Sequence, residues 1–336
     1  MVGSDRPRFL WICRVESTTS RPYHPLVVKF WIRWIPAPLV RFFASPYVAG
    51  DSLAKAMTAA AELSSVRRLR TTLDLLAEGI TSDALVQQNI ATYLQMVDAV
   101  AADTRFADDL ERPTLSLKLS SYTTDPLEKG GKARGAREAV FTIAEHAKRK
   151  GVRLTLDMES ASWTDFTITV LRDLHAAGHS HVGCVVQARL NRTEADLDAL
   201  PKGIRTRIVI GIYKESATIA LTDKAPMKDR MLVFARKLLD RGHYVEFATH
   251  DETYVRRFLA EVVAVGKFDQ NRYEVQMLYG VPRQRLLEEL VSKGVRCRLY
   301  VPFALGWDMA IAYLRRRLDE YPAMMFLVVK NFLFRG

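Results

Sequence analysis

The sequence predicts an α/β protein, a (β/α)8 TIM-type barrel with N-terminal helices, on three observations. Eight short, apolar, β-rich runs follow one another at residues 71–76, 114–119, 152–156, 182–187, 206–210, 244–248, 272–278 and 295–301. Stretches of helical character lie between them. The alternation fills about 250 residues, the span at which eight parallel strand-helix units close on themselves. An open doubly wound sheet is the alternative for the same alternation.

Taken in order, each run is bounded by turn residues and is too short to be a helix of ordinary length. The helical stretches include 136–150, 163–177, 226–241, 252–265 and 282–293. Three of them end in a basic residue and then glycine, as Lys150-Gly151, Arg241-Gly242 and Lys293-Gly294. A cation in the last turn offsets the helix dipole, and glycine takes the left-handed cap. Strand, helix and strand in succession imply parallel pairing through right-handed crossovers. The chain therefore divides into an N-terminal helical extension (1–70), the barrel (71–322) and a C-terminal tail (323–336).

Composition sets limits on partners. With 336 residues, 49% of them hydrophobic and 26% charged, the chain is neither disordered nor fibrous. Its formal charge of +11 suits nucleic acid, an anionic membrane or an acidic ligand. No zinc-finger spacing supports nucleic acid. Cys13, Cys184 and Cys297 are too few and too scattered for a disulfide framework or a metal site, which fits a reducing compartment. Lys29, Arg33, Pro36, Pro38 and Arg41 interrupt the apolar segment 25–48, so it is not a spanning helix, and the polar start of the chain is no signal peptide. The expected location is cytoplasmic. Residues 1–50 carry seven basic residues against two acids, with Phe30, Trp31, Trp34, Phe42 and Phe43 among them. They read either as helices covering the barrel or as a peripheral contact with the inner face of a membrane. The basic, glycine-rich segment 127–135 lacks the spacing of a P-loop and reads as a lid over the site.

Barrel chemistry sits at the C-terminal ends of the strands. Polar groups recur there: Asp74 and Glu78, Lys118, Asp157 and Glu159, Gln187, Tyr213, Thr249 with His250, and Gln276 with Leu278. Any one of them reads equally well as a cap or an ion pair, so the series carries the signal. In the last helical stretch Tyr313, Arg316, Arg317 and Glu320 are spaced to share one face. Two adjacent guanidiniums suit a carboxylate or phosphate, while a solvated basic helix with a Glu320 ion pair is the plainer alternative.

Nine ordered motifs carry a family resemblance: YVAGDS (47–52), TLDLLAE (72–78), LSLKLSS (115–121), LTLDMES (154–160), VVQARLNRT (185–193), RIVIGIYKE (207–215), VEFATHD (245–251), YEVQMLYG (273–280) and YLRRRLDE (313–320). From about residue 47 to 320 the chain resembles the flavin-dependent proline dehydrogenases of the monofunctional bacterial type. The resemblance implies a non-covalent FAD across the barrel mouth and oxidation of L-proline to 1-pyrroline-5-carboxylate. It further implies hydride transfer to flavin N5, with electrons passed on to a membrane quinone. By residue, it implies that Arg316, Arg317 and Lys118 hold the substrate carboxylate, that Tyr313 packs on the substrate ring and that Leu278 closes the pocket. Asp157 and Gln187 match positions near the flavin pyrimidine, and Arg207 matches one near its reactive edge. Gly211, Thr249 and His250 fall in cofactor-binding motifs, and Glu320 would contact the flavin or orient the arginines. A flavin held in this way needs no GxGxxG fingerprint.

The pattern departs from the family at Arg189, Ile210, Ile212 and Asp251, and in the long connection 302–313. The two isoleucines are expected to shrink or reshape the pocket. The alternatives are a flavin dehydrogenase of the same fold acting on a proline analogue or another amino acid, and a degenerate barrel that only binds.

Overall fold

The computed structural model describes residues 45–77, 80–106 and 111–311. Eight strands, β1 (Arg70–Leu75), β2 (Thr114–Leu117), β3 (Leu154–Leu156), β4 (Val182–Gln187), β5 (Arg205–Val209), β6 (Tyr244–Ala248), β7 (Tyr273–Leu278) and β8 (Cys297–Phe303), form a closed barrel in sequence order. Every neighbouring pair is parallel, including the closing pair β1–β8, whose register runs from Arg70↔Arg298 to Leu75↔Phe303. The open-sheet alternative is thereby excluded. All eight expected runs are strands, and the largest differences are at their ends. The second run stops at Leu117 because residues from Leu119 to Tyr122 turn into a 3-10 helix.

Helices α1 (Leu53–Arg67), α2 (Asp83–Ala102), α3 (Ala136–Lys150), α4 (Thr164–Ala176), α5 (Thr193–Asp198), α6 (Lys224–Asp240), α7 (Glu252–Arg257) and α8 (Gln284–Ser292) precede or connect the strands. Ser52 and Ser82 cap α1 and α2, each accepting from a backbone N–H three residues on. At the end of α3, Gly151 adopts φ 68° and its N–H turns back to Lys148 O, as the Lys-Gly pair predicts. The expected helix 252–265 is α-helical from Glu252 to Arg257 and then widens. A π turn follows from Phe258 to Ala264. Its wider ring accompanies a fully buried Phe258 stacked on Phe247 of β6, with centroids 4.3 Å apart and planes 4° from parallel.

The core lies between barrel and helices. Leu73, Leu115, Leu154, Ile208, Val245, Phe247, Val275 and Val301 of the strands join Ala60, Met96, Ile143, Leu171, Leu238 and Phe258 of the helical shell in one apolar cluster. These strand residues alternate with a second set that is buried but polar: Thr72, Asp74, Thr114, Ser116, Arg207, Glu246, Glu274 and Arg298. Period-two alternation points that set into the barrel, where its members meet one another across strands. Burying the apolar set stabilises the shell by roughly 1.5–3 kcal/mol per large side chain, so the polar lining is carried by an apolar frame. No helix among the described residues is long and apolar enough to cross a membrane.

Candidate active site

The mouth of the barrel holds one continuous charged network. Parallel register brings Asp74 of β1 opposite Ser116 of β2. Lys118, one residue beyond β2, extends its ammonium to Asp74 Oδ1 at 2.5 Å, to Tyr300 Oη at 3.3 Å and to within 3.5 Å of Asp157 Oδ2. Asp157, just past β3, is the hub. Its Oδ1 accepts from Ser116 Oγ at 2.6 Å and from Arg207 Nη1 at 2.9 Å, and its Oδ2 accepts from Tyr300 Oη at 2.7 Å. The Arg207 guanidinium carbon also lies 5.0 Å from the centre of the Tyr300 ring.

The charges in this network are settled by their neighbours. Burial pushes the Asp157 carboxyl upward, but Lys118, Arg207, Ser116 and Tyr300 together outweigh it and hold the group below its ordinary range. Burial works against the Lys118 ammonium, and the oxygens of Asp74, Tyr300 and Asp157 more than offset this, keeping it protonated. Arg207 behaves in the same way between Asp157 and Glu246. Burial and the adjacent carboxylates raise the Tyr300 phenol, so it stays neutral and donates its proton to Asp157.

Several polar atoms at the mouth are buried without a partner among the described residues. Arg207 Nη2 and Gln187 Oε1 are two of them, and His250 Nδ1 is a third. Gln187, the last residue of β4, donates through Nε2 to Glu159 O at 2.6 Å, which leaves its oxygen free. That oxygen lies directly over Gly211. A Cβ there would fall 2.4 Å from Gln187 Oε1 and 2.9 Å from Arg189 Cδ, and Gly211 has φ +94°. Only glycine lets the Gln187 and Arg189 side chains lie this close to the backbone. Buried donors and acceptors are normally paired, so a cluster of unpaired ones is suited to a polar ligand. A flavin, with a ring edge of alternating donors and acceptors, fits that set.

The remaining expected residues divide into three groups. Lys118, Asp157 and Arg207 meet in the network. Around its rim, Thr249 and His250 follow β6, Thr249 Oγ1 accepts from the Asp251 N–H at 3.2 Å, and His250 O accepts from Arg283 Nε at 2.9 Å. Burial, with the nearby Arg283 charge, lowers His250 to about 4, so its ring is neutral. Leu278 ends β7 as the register partner of Tyr300. Tyr313, Arg316, Arg317 and Glu320, like Glu78, lie outside the described residues. Of the two isoleucines, Ile210 packs against the main core while Ile212 is 44% exposed.

Sequence reasoning passed over Tyr300, Ser116 and Glu246 and assigned no role to Asp74. A signal was present. Strands of a parallel barrel covered by helices normally read as unbroken apolar runs, whereas these alternate, as in Thr72-Leu73-Asp74, Ser116-Leu117-Lys118 and Arg298-Leu299-Tyr300.

The glycine-rich segment after β2 is stitched to its neighbour. Trp163 donates from Nε1 to Glu128 Oε2 at 2.6 Å, and the Ala161 N–H is held by Glu215 Oε1 at 2.8 Å. Glu159 ties the same two loops together by accepting from the Ser120 N–H at 3.0 Å.

Comparison with known proteins places the chain in a family. A family profile described as proline dehydrogenase matches residues 56–325. Proline dehydrogenase of Deinococcus radiodurans is 35% identical over 296 residues, covering 86% of this chain and 90% of that protein. Proline dehydrogenase 1 of Bacillus subtilis is 31% identical over 297 residues, covering 87% and 91%. Among solved structures, proline utilization A from Bdellovibrio bacteriovorus inactivated by N-propargylglycine aligns with a TM-score of 0.72 at 21% identity. The match covers 82% of this chain but 32% of that longer one, and likeness at such identity speaks for the fold alone. With a profile spanning the whole barrel and relatives above 30% identity along nearly their full length, the chain belongs to the proline dehydrogenase family and is an oxidoreductase.

Proposed function

We propose that the chain oxidises L-proline to 1-pyrroline-5-carboxylate with a non-covalent FAD at the barrel mouth, and that the electrons pass on to a membrane quinone. Beyond family membership, the observation that supports this best is the pair of buried polar atoms Arg207 Nη2 and Gln187 Oε1, left without a partner among the described residues. When bound, the flavin supplies a two-electron hydride acceptor at N5, which no side chain can provide.

The chain's own residues bind and orient. Gln187, Gly211, Thr249, His250 and Glu320 would hold the cofactor. Asp157 fixes Arg207 through Oδ1, so that the arginine would offer a spare donor and a positive charge to the flavin, which gains negative charge on reduction. Arg316 and Arg317 would take the substrate carboxylate in forked hydrogen bonds, with Lys118 as the third cation, since a buried carboxylate is costly without such donors. Tyr313 and Leu278 would pack on the substrate ring. Proline loses a hydride from the ring carbon next to nitrogen and a proton from nitrogen, and a C=N bond forms between those atoms.

We read 71–322 as the catalytic barrel and 323–336 as a tail. The segment 1–70 includes α1, and its basic, aromatic first part is suited to a peripheral contact with the inner face of a membrane, next to a lipid-soluble acceptor. Anaerobic addition of L-proline to the FAD-loaded protein should bleach the flavin absorbance near its long-wavelength maximum. A flavin-loaded protein that stays yellow with proline would overturn the assigned substrate, and a chain that takes up no FAD would overturn the reading altogether.

A further inference from the structure

Resting on the flavin reading above, we infer that Glu246 is a positioning residue for Arg207 and limits how much of that arginine's positive charge reaches a flavin at the mouth. Glu246 sits in the middle of β6 as the direct register partner of Arg207 on β5. It is 1% exposed. Its two carboxylate oxygens have different neighbours. Oε1 accepts from Arg205 Nη1 at 2.7 Å, and Arg205 is itself held by Leu154 O at 2.7 Å, so the carboxylate is anchored from deeper in the barrel. Oε2 lies 3.6 Å from Arg207 Nε.

Arg207 is thus flanked by two acids. Asp157 takes Nη1 by a hydrogen bond, Glu246 faces Nε, and the Tyr300 ring lies 5.0 Å from the guanidinium carbon. These three contacts surround the guanidinium, and among the described residues Nη2 and Nε have no hydrogen-bond partner, Nε being only ion-paired with Glu246. Asp157 also serves Lys118, Ser116 and Tyr300, so its charge is shared. Glu246 is hydrogen-bonded to Arg205 and ion-paired with Arg207. A carboxylate this close to a buried guanidinium reduces the field the guanidinium projects elsewhere, with little water to screen either charge. Neutralising Glu246 should therefore favour the more negative, reduced form of a flavin beside Arg207.

The test compares bound-flavin reduction in wild-type protein, Glu246→Gln, Glu246→Asp and Glu274→Gln, poised anaerobically against a redox dye. Glu246→Gln should raise the reduced-to-oxidised ratio at fixed potential about tenfold, which for a two-electron couple is about 30 mV. The KM for L-proline should change by less than about twofold, because no part of the substrate is bound by this residue. Glu246→Asp keeps the charge but withdraws it by one methylene, and should move the ratio about threefold in the same direction. Glu274→Gln, lower in the barrel, should leave the ratio as in the wild type. A wild-type ratio in Glu246→Gln overturns the inference, as does an equal shift in Glu274→Gln. Should Glu246→Gln fail to fold, an unchanged ratio in Glu246→Asp overturns it alone. Wild-type protein that binds no FAD overturns the flavin reading instead, and this inference with it.

Discussion

Two charged clusters occupy the inside of this barrel, and they differ in what they leave unsatisfied. At the floor, Arg298 donates to Glu274 Oε1 at 2.5 Å, to Glu274 Oε2 at 3.3 Å and to Thr71 O at 2.7 Å. Gln276 and Tyr244 donate to the same carboxylate at 2.7 and 3.0 Å. Both members of the ion pair are almost wholly buried, and no nitrogen or carboxylate oxygen of either is left over. At the mouth, Arg207 is held by Asp157 through one bond at 2.9 Å, and among the described residues Arg207 Nη2 and the neighbouring Gln187 Oε1 have no partner. A closed network serves the fold. An open one at the same depth retains hydrogen-bonding capacity that a ligand can use.

That contrast can be broken from the floor. Arg298→Met leaves Glu274 as a buried charge without its main partner and should cost about 3–5 kcal/mol of stability. Chemical denaturation would measure it, and a loss under about 1 kcal/mol would mean that the floor network is not structural. At the mouth, Gly211→Ala should cost about 1–3 kcal/mol through its positive φ and lower flavin uptake, since the new methyl would displace the Gln187 side chain. Equal flavin uptake by wild-type and variant protein would show that Gln187 does not hold the flavin. Arg207→Met should reduce kcat/KM at least tenfold, equivalent to about 1.4 kcal/mol of transition-state interaction, with a smaller loss of stability than Arg298→Met. Asp157 keeps Lys118, Ser116 and Tyr300 in that variant. The reverse ranking would erase the distinction between the clusters.

The smallest effect concerns pH. Burial, first of all, lowers both His250 at the mouth and His181 ahead of β4 to about 4. In the unfolded chain each would titrate near 6.5. Between about 6.5 and about 4 the unfolded state binds more protons, so stability is complete above that window and falls as pH drops through it. The Tm should decline between pH 7 and pH 5. A Tm that does not change over that range would mean that both rings reach solvent on protonation.

Strand order was legible because each strand is a local event: a short apolar run between turn residues, followed by a helix with its own cap. The polar lining was written in the same runs as a period-two alternation, but which polar residue meets which depends on register. Lys118 looked like a third cation for a substrate carboxylate. In the fold it already has Asp74, Tyr300 and Asp157 around it, brought from three other strands. Tyr300 reads in sequence as an ordinary strand aromatic, and only barrel closure between β1 and β8 brings it to Asp157.

The sequence alone determined the architecture, the family and the identity of most residues at the strand ends, because apolar periodicity, caps and short motifs are local properties of a chain. The tertiary structure decided which of the buried charges cancel one another and which stay available. Coulomb and hydrogen-bond energies depend on separations of a few ångströms between residues far apart in the chain, 44 positions for Asp74–Lys118 and 143 for Asp157–Tyr300, and only the closed barrel sets those separations.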